Sequence, residues 1–165
     1  TLYGRTKLAG SSEVAVRCAG SGRRGLTARL FTVYGPGEHP GRLLPSLLAC
    51  ARTGEPLRLT AGLQQRDFTY VEDVAEGLLR LGLAHAAPGE IVNLATGRLT
   101  TVCTFIETAA EILRIPADRL QFGALPARPD EMRHDPVNVT KLFQHTNWRP
   151  GMEIHEGIRN TVALT

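Results

Sequence analysis

The sequence predicts an α/β fold built on parallel strands, from three observations. Helix-period and strand-like segments alternate along the 165 residues. Two connections, residues 71–85 and 101–114, are long enough to be helical crossovers between parallel strands. Residues 25–34, "GLTARLFTVY", are rich in β-branched and aromatic residues, as a buried strand is. No internal repeat and no low-complexity linker interrupts this order.

Taken in turn, "KLAGSSEVAVRCAG" has helical character and runs out at Gly20, before the strand of residues 25–34. "YGPGEHPG" is made of turn residues and forms a loop. "RLLPSLLACARTG" is a short helix closed by Gly54. "PLRLT" and "RDFTYV" are short strands. "VEDVAEGLLRLGLAH" sets Val71, Val74, Ala75, Leu78, Leu79 and Gly82 on one helical stripe. "EIVNLAT" is another strand. "TVCTFIETAAEILR" is a second striped helix, carrying Val102, Phe105, Ile106, Ala109 and Leu113 and stopped by Pro116. Residues 121–139 are mostly irregular, Asp135 to Leu142 lead into a short helix, and a last helix follows Met152.

An apolar fraction of 42% and a charged fraction of 21% are those of an ordinary globular chain with a core of its own. No apolar run approaches the roughly 18 residues of a membrane span. The net charge of +3 is scattered, and aromatic residues are few, which is a poor footprint for nucleic acid. Cys18, Cys50 and Cys103 are far apart and have no metal-ligand spacing. They read as buried free thiols of a reducing cytoplasm, and the dispersed histidines offer no zinc site.

"GSGRRG", Gly20 to Gly25, has the G-x-G-x-x-G spacing of dinucleotide-binding loops. Such a loop must follow a strand and open a helix, whose N-terminus then holds the pyrophosphate. Here a helix precedes and a strand follows, so the segment reads as a helix C-cap and connecting turn. No other Gly-rich loop qualifies. A dinucleotide used by this protein has its phosphate loop outside this chain.

Tyr3 and Lys7 are four apart, on one helix face. Spacing alone favours a surface pair on a helix. As a functional pair, a nearby ammonium favours the phenolate, and the phenol then moves a proton on or off a hydroxyl.

The neighbouring motifs give that pair a context. "LYGRTKLAG", "RLFTVYGPG", "LLPSLL", "RDFTYVEDVAEGL", "VNLATG" and "ARPDEMRHDPVNVTKL…NWRP" follow in one order. Together they resemble the C-terminal half of the extended short-chain dehydrogenase/reductase family, the NAD-dependent nucleotide-sugar epimerases and dehydratases. The resemblance covers nearly the whole chain. It implies the remainder of a doubly wound parallel, Rossmann-like sheet in residues 1–97, with an inserted substrate segment at about 36–70. Residues 98–165 then form a small α+β substrate-binding subdomain.

The resemblance also implies roles. Tyr3 is the catalytic acid/base and Lys7 holds the nicotinamide ribose of NAD or NADP. Leu30, Phe31 and Thr32 form the strand end bordering nicotinamide and substrate, with Thr32 where many members carry an asparagine. Arg66 and Arg128 grip the diphosphate of a nucleotide sugar, for which the planar guanidinium suits. Asp67 and Asp73 are expected to cap the following helix and fix the turn, Asn93 to bond at a strand end, and Trp148 to pack. The activity implied is epimerisation of a nucleotide sugar, with 4-ketoreduction or 4,6-dehydration as alternatives and a non-catalytic binding module as another class. Members place about half their length, including the phosphate loop, before the tyrosine. The chain is therefore expected to be a partial one, inactive alone, that pairs with itself or with the missing half.

Overall fold

The Thr1 hydroxyl accepts a hydrogen bond from the Gly4 N–H at 3.2 Å and opens α1, Leu2–Ser21. The computed structural model describes residues 1–127, 131 and 135–165. Gly22 ends α1 in the left-handed region, at φ 66°, where glycine carries no Cβ penalty. β1 (Leu26–Leu30) follows. "GSGRRG" is thus a helix-to-strand turn, the reverse of the order a pyrophosphate needs.

The strand expected over residues 25–34 is two strands. β1 stops at Leu30 and β2 (Thr32–Tyr34) resumes after Phe31 with a different neighbour. After β2 come α2 (Leu43–Thr53), β3 (Leu57–Arg58), β4 (Gln65–Arg66) and β5 (Phe68–Tyr70). α3 (Val71–Leu83), β6 (Glu90–Leu94), β7 (Thr100–Thr101) and α4 (Val102–Leu113) continue the alternation. A 3₁₀ turn at Ala117–Arg119, β8 (Leu120–Gln121), α5 (Thr140–Thr146) and α6 (Ile154–Ala163) complete the chain.

β1 pairs in parallel with β6, Leu26 opposite Glu90 through Leu30 opposite Leu94. β2 pairs in parallel with β5, Thr32 opposite Phe68. β3 and β8 form a short parallel pair, whereas β4 and β7 run antiparallel. The Thr32 N–H donates to the Asp67 carbonyl at 3.0 Å, which ties the start of β2 to the start of β5.

Two apolar clusters hold these elements. The larger joins Tyr34, Leu44, Leu47, Phe68 and Tyr70 to Phe105, Ile106, Ala109 and Ile158. Inside it the Phe68 and Phe105 rings stack at 4.2 Å, and Tyr34 meets Phe105 edge-on at 5.2 Å. The smaller joins Val74, Leu81, Val92, Leu94 and Leu142, with Trp148 packed against them.

The stripe expected on α3 is only partly buried. Val74, Gly77 and Leu81 face inward, while Ala75, Leu78, Leu79 and Gly82 are exposed. Gly77 is the reason: a Cβ there would lie 2.5 Å from Leu94 Cδ1, so the backbone itself is the packing surface. A count of apolar side chains cannot find such a position.

Neither aspartate caps α3, contrary to expectation. Asp67, 1% exposed, accepts from Thr96 N–H and Gly97 N–H at 2.9 and 2.8 Å and from the Thr69 and Thr96 hydroxyls. Asp73 accepts from the N–H groups of Gly151 and Met152. Both carboxylates join segments distant in sequence, because those segments present otherwise unpaired backbone donors.

Cys18 and Cys50 are buried thiols, but Cys103 is only half-buried, its Sγ 3.4 Å from Glu107. Among the described residues no helix is long and apolar enough to cross a membrane. Apolar side chains remain uncovered on α1 (Leu2, Leu8, Val16), at Leu30, and on α3 (Leu78, Leu79, Leu83).

Candidate functional site

Two cavities open near residues 30–32. The first, about 880 Å³, is lined by Tyr3 and Lys7 from α1, Leu30 and Phe31 at the end of β1, and Asn93 on β6. The second, about 420 Å³, includes Thr32, Glu38, Arg42, Arg58 and Arg66, with Phe68 and Phe105 among its apolar walls. Three consecutive residues therefore serve both: Leu30 and Phe31 border one cavity, and Thr32 the other. They lie at the carboxyl end of β1, the edge where open α/β sheets bind ligands.

Tyr3 is 72% exposed, and the Lys7 Nζ lies 5.4 Å from the centroid of its ring. The ammonium thus stacks over the phenol, a cation–π arrangement on one helix face. Asn93 at the end of β6 donates from Nδ2 to the Asn138 carbonyl at 3.0 Å, holding the segment before α5 beside this cavity.

Arg66, at the end of β4, is mostly buried and forms an ion pair with Glu131 and a bond to the Gln65 carbonyl at 2.7 Å. Its acidic partner lies 65 residues further along the chain. Arg128 lies outside the described residues. The structure thus brings Tyr3, Lys7, Leu30 and Phe31 together in one cavity, and Thr32 and Arg66 in the next.

The second cavity holds groups the sequence did not single out. Glu38 Oε1 accepts from Arg42 Nε at 3.2 Å, and burial pushes the Glu38 carboxyl above its usual value while Arg42 pulls it down. Arg58 donates to the Ala124 carbonyl at 2.8 Å. The Glu38–Arg42 pair does have a sequence signature, an acid and a base four apart. It falls in the turn "GEHPGR", where helical spacing carries little weight. Tyr34, also on this wall, is held far above the ordinary phenol value, chiefly by burial and then by Asp73 and Tyr70. Among the described residues no cluster of His, Cys, Asp and Glu is built to hold a metal.

The pattern of the NAD dependent epimerase/dehydratase family matches residues 1–95. A probable UDP-glucuronate 4-epimerase of Rhizobium meliloti is 27% identical over 153 residues, 81% of this chain and 44% of that protein. The UDP-glucose 4-epimerase of Thermotoga maritima, solved with UDP-glucose, superposes with a TM-score of 0.87 at 25% identity, over 98% of this chain and 52% of the other. A dTDP-glucose 4,6-dehydratase from Bacillus anthracis in complex with NAD gives the same TM-score at 21% identity, over 99% and 51%. The chain spans about half the length of the proteins it matches. A Rossmann-like α/β scaffold, an opening Tyr-x-x-x-Lys on α1 and a family pattern that runs through β6 converge on one assignment: this chain belongs to the NAD-dependent epimerase/dehydratase family.

Proposed function

We propose that the chain carries the catalytic pair and the sugar-nucleotide side of an NAD(P)-dependent nucleotide-sugar epimerase, and is the C-terminal half of that enzyme. The observation that carries this reading is the shared strand end: Leu30 and Phe31 border the Tyr3–Lys7 cavity, and Thr32 borders the Arg66 cavity. A sugar at the first and a diphosphate at the second would be held one residue apart.

In this reading Tyr3 moves a proton on or off a sugar hydroxyl, and Lys7 holds the nicotinamide ribose. The apolar wall of Leu30 and Phe31 suits a nicotinamide face, and the lysine suits its ribose, so the residues present fit that end of NAD or NADP. When bound, the nicotinamide accepts and returns the hydride. Thr32, Arg66 and Arg128 hold the diphosphate, Arg66 exchanging Glu131 for phosphate oxygens. Residues 1–97 form the cofactor-facing part, with the inserted substrate segment at about 36–70, and residues 98–165 the substrate-binding part. Because "GSGRRG" joins a helix to a strand, the phosphate loop comes from a further polypeptide segment. The uncovered apolar residues of α1 and α3 supply its docking face, or that of a second copy.

Calorimetric titration with UDP-, dTDP-, GDP- and CDP-sugars tests the anion site. Saturable binding that weakens at least about tenfold in Arg66→Ala is expected; a folded chain that binds none of them refutes the site. With the cofactor half supplied, Tyr3→Phe is expected to lower kcat about a hundredfold or more while leaving sugar-nucleotide binding intact. Epimerised, reduced or dehydrated product would separate epimerisation from 4-ketoreduction and 4,6-dehydration. Binding with no turnover in the assembled protein would favour a non-catalytic module.

A further inference from the structure

The 880 Å³ cavity of Tyr3 carries a cation that the roles above leave unused: Arg29 on β1 lines its wall and is exposed. Strand alternation explains how an arginine comes to stand there. Ala28 packs against the smaller apolar cluster, so Arg29 projects from the opposite face of the sheet, into the cavity it shares with Lys7 and Ser11 of α1.

No group among the described residues holds this guanidinium in an ion pair or hydrogen bond. Its neighbours in the lining are turned elsewhere. Asn93, its register partner on β6, donates to the Asn138 carbonyl, Ser11 donates to the Lys7 carbonyl at 3.0 Å, and Lys7 lies over the Tyr3 ring. Among the described residues the lining sets two cations, Lys7 and Arg29, against one acid, Asp135, a net positive balance. Water satisfies the guanidinium while the cavity is open. A sugar seated against Tyr3 displaces that water, and the cation then bears a desolvation cost unless the ligand returns a counter-charge. A neutral sugar offers only hydroxyls, whereas a carboxylate presents two oxygens to the planar fork.

We propose that Arg29 is a specificity-determining residue that binds a carboxylate on the sugar held in the Tyr3 cavity. This rests on the nucleotide-sugar reading above and narrows it to nucleotide-linked uronic acids. The diphosphate is not the counter-charge, since that reading seats it at Thr32 and Arg66 in the other cavity. Lys7 is not the selecting cation either, since it is assigned to the nicotinamide ribose. An arginine with only a solvating role on the strand would leave sugar preference untouched, and the experiment reads preference.

UDP-glucuronate and UDP-glucose, which differ only in a carboxylate against a hydroxymethyl group, are titrated calorimetrically into the wild-type chain, Arg29→Met and Arg98→Ala. The wild type is expected to bind UDP-glucuronate at least about tenfold more tightly. Arg29→Met keeps an apolar stem and removes the charge, so the ratio falls toward one through weaker UDP-glucuronate binding alone. Arg98 lies outside the cavity and pairs with Glu153, so its alanine variant removes a surface charge and keeps the wild-type ratio. Equal binding of the two sugars by the wild type, a ratio that survives Arg29→Met, or an equal collapse in Arg98→Ala overturns the proposal and leaves the nucleotide-sugar site standing. Binding of neither by a folded chain removes that reading and the proposal with it. The pyrophosphate of NAD is the other source of anionic oxygens. NAD binding that weakens in Arg29→Met while the sugar ratio holds assigns the cation to the cofactor and overturns the proposal. Should Arg29→Met unfold, Arg29→Gln makes the same test with a neutral polar side chain. The ratio is again expected to fall toward one, and an unchanged ratio counts against the proposal.

Discussion

Replacing Asp67 with alanine would leave two backbone donors, Thr96 N–H and Gly97 N–H, facing an empty space. Asp67 is 1% exposed and accepts four hydrogen bonds between 2.8 and 3.2 Å, one of them from Thr69 on β5. A hydrogen bond to a charged group contributes about 1.5–3 kcal/mol net, and a stranded buried donor costs about 1–3 kcal/mol. These bonds share one carboxylate and are not additive, so a loss of about 3–5 kcal/mol is the expected magnitude. Asp67→Asn separates the two oxygens. Its carbonyl can keep the three bonds now made to Oδ1, while its NH₂ opposes the Gly97 N–H, for a loss of about 1–2 kcal/mol. Urea unfolding followed by circular dichroism would measure both variants, with midpoints ordered wild type, Asn, Ala and similar slopes. An alanine variant within about 1 kcal/mol of wild type would refute the claim that this carboxylate staples the end of β6 to the strand bearing Arg66.

Gly157→Ala places a Cβ 2.3 Å from the Tyr34 hydroxyl oxygen and 3.0 Å from the Tyr70 ring, with both side chains locked in the larger cluster. Overpacking of this kind costs about 1–3 kcal/mol, to be read as a lowered melting temperature. Glu90 is held below its ordinary value of 4.5, first by its bond to Lys141, then by the Ala87 N–H and the charge of His145, against a smaller cost of burial. A carboxyl depressed by folding gives stability that is present above its unfolded value and lost as pH falls through its folded value. Urea midpoints should therefore decline below about pH 4.5 less steeply in Glu90→Gln than in wild type. The Arg98–Glu153 pair is 2.8 Å apart but more than half exposed at both ends, so Arg98→Ala should shift stability by under about 1 kcal/mol in the same assay.

How far the sequence reached depends on which kind of contact decides a feature. The helix-to-strand order around "GSGRRG" was legible because Gly22 and the β-branched run after it act locally. The interruption at Phe31 was not, since it comes from β1 and β2 pairing with different neighbours, β6 and β5, and from Thr32 donating to Asp67. The two aspartates show the same division. An acid before a helix looks like a cap in one dimension, yet the donors that claim Asp67 and Asp73 arrive from residues 96–97 and 151–152. Around the site, Leu30 to Thr32 stood out through their motif. Glu38 did not, because its spacing of four to Arg42 falls in a turn, where helical spacing carries little weight. The guanidinium of Arg66 pairs with Glu131, 65 residues further on, a partner that no local spacing indicates.

The single residue between β1 and β2 also works as a ruler. Successive Cα atoms across a trans peptide are held about 3.8 Å apart whatever surrounds them. The offset between the cavity of Tyr3 and that of Arg66 is thereby written into the covalent backbone, and repacking the core cannot easily change it. Variants that swap residues on either wall change the lining of each cavity without changing the spacing of the residues that border the two.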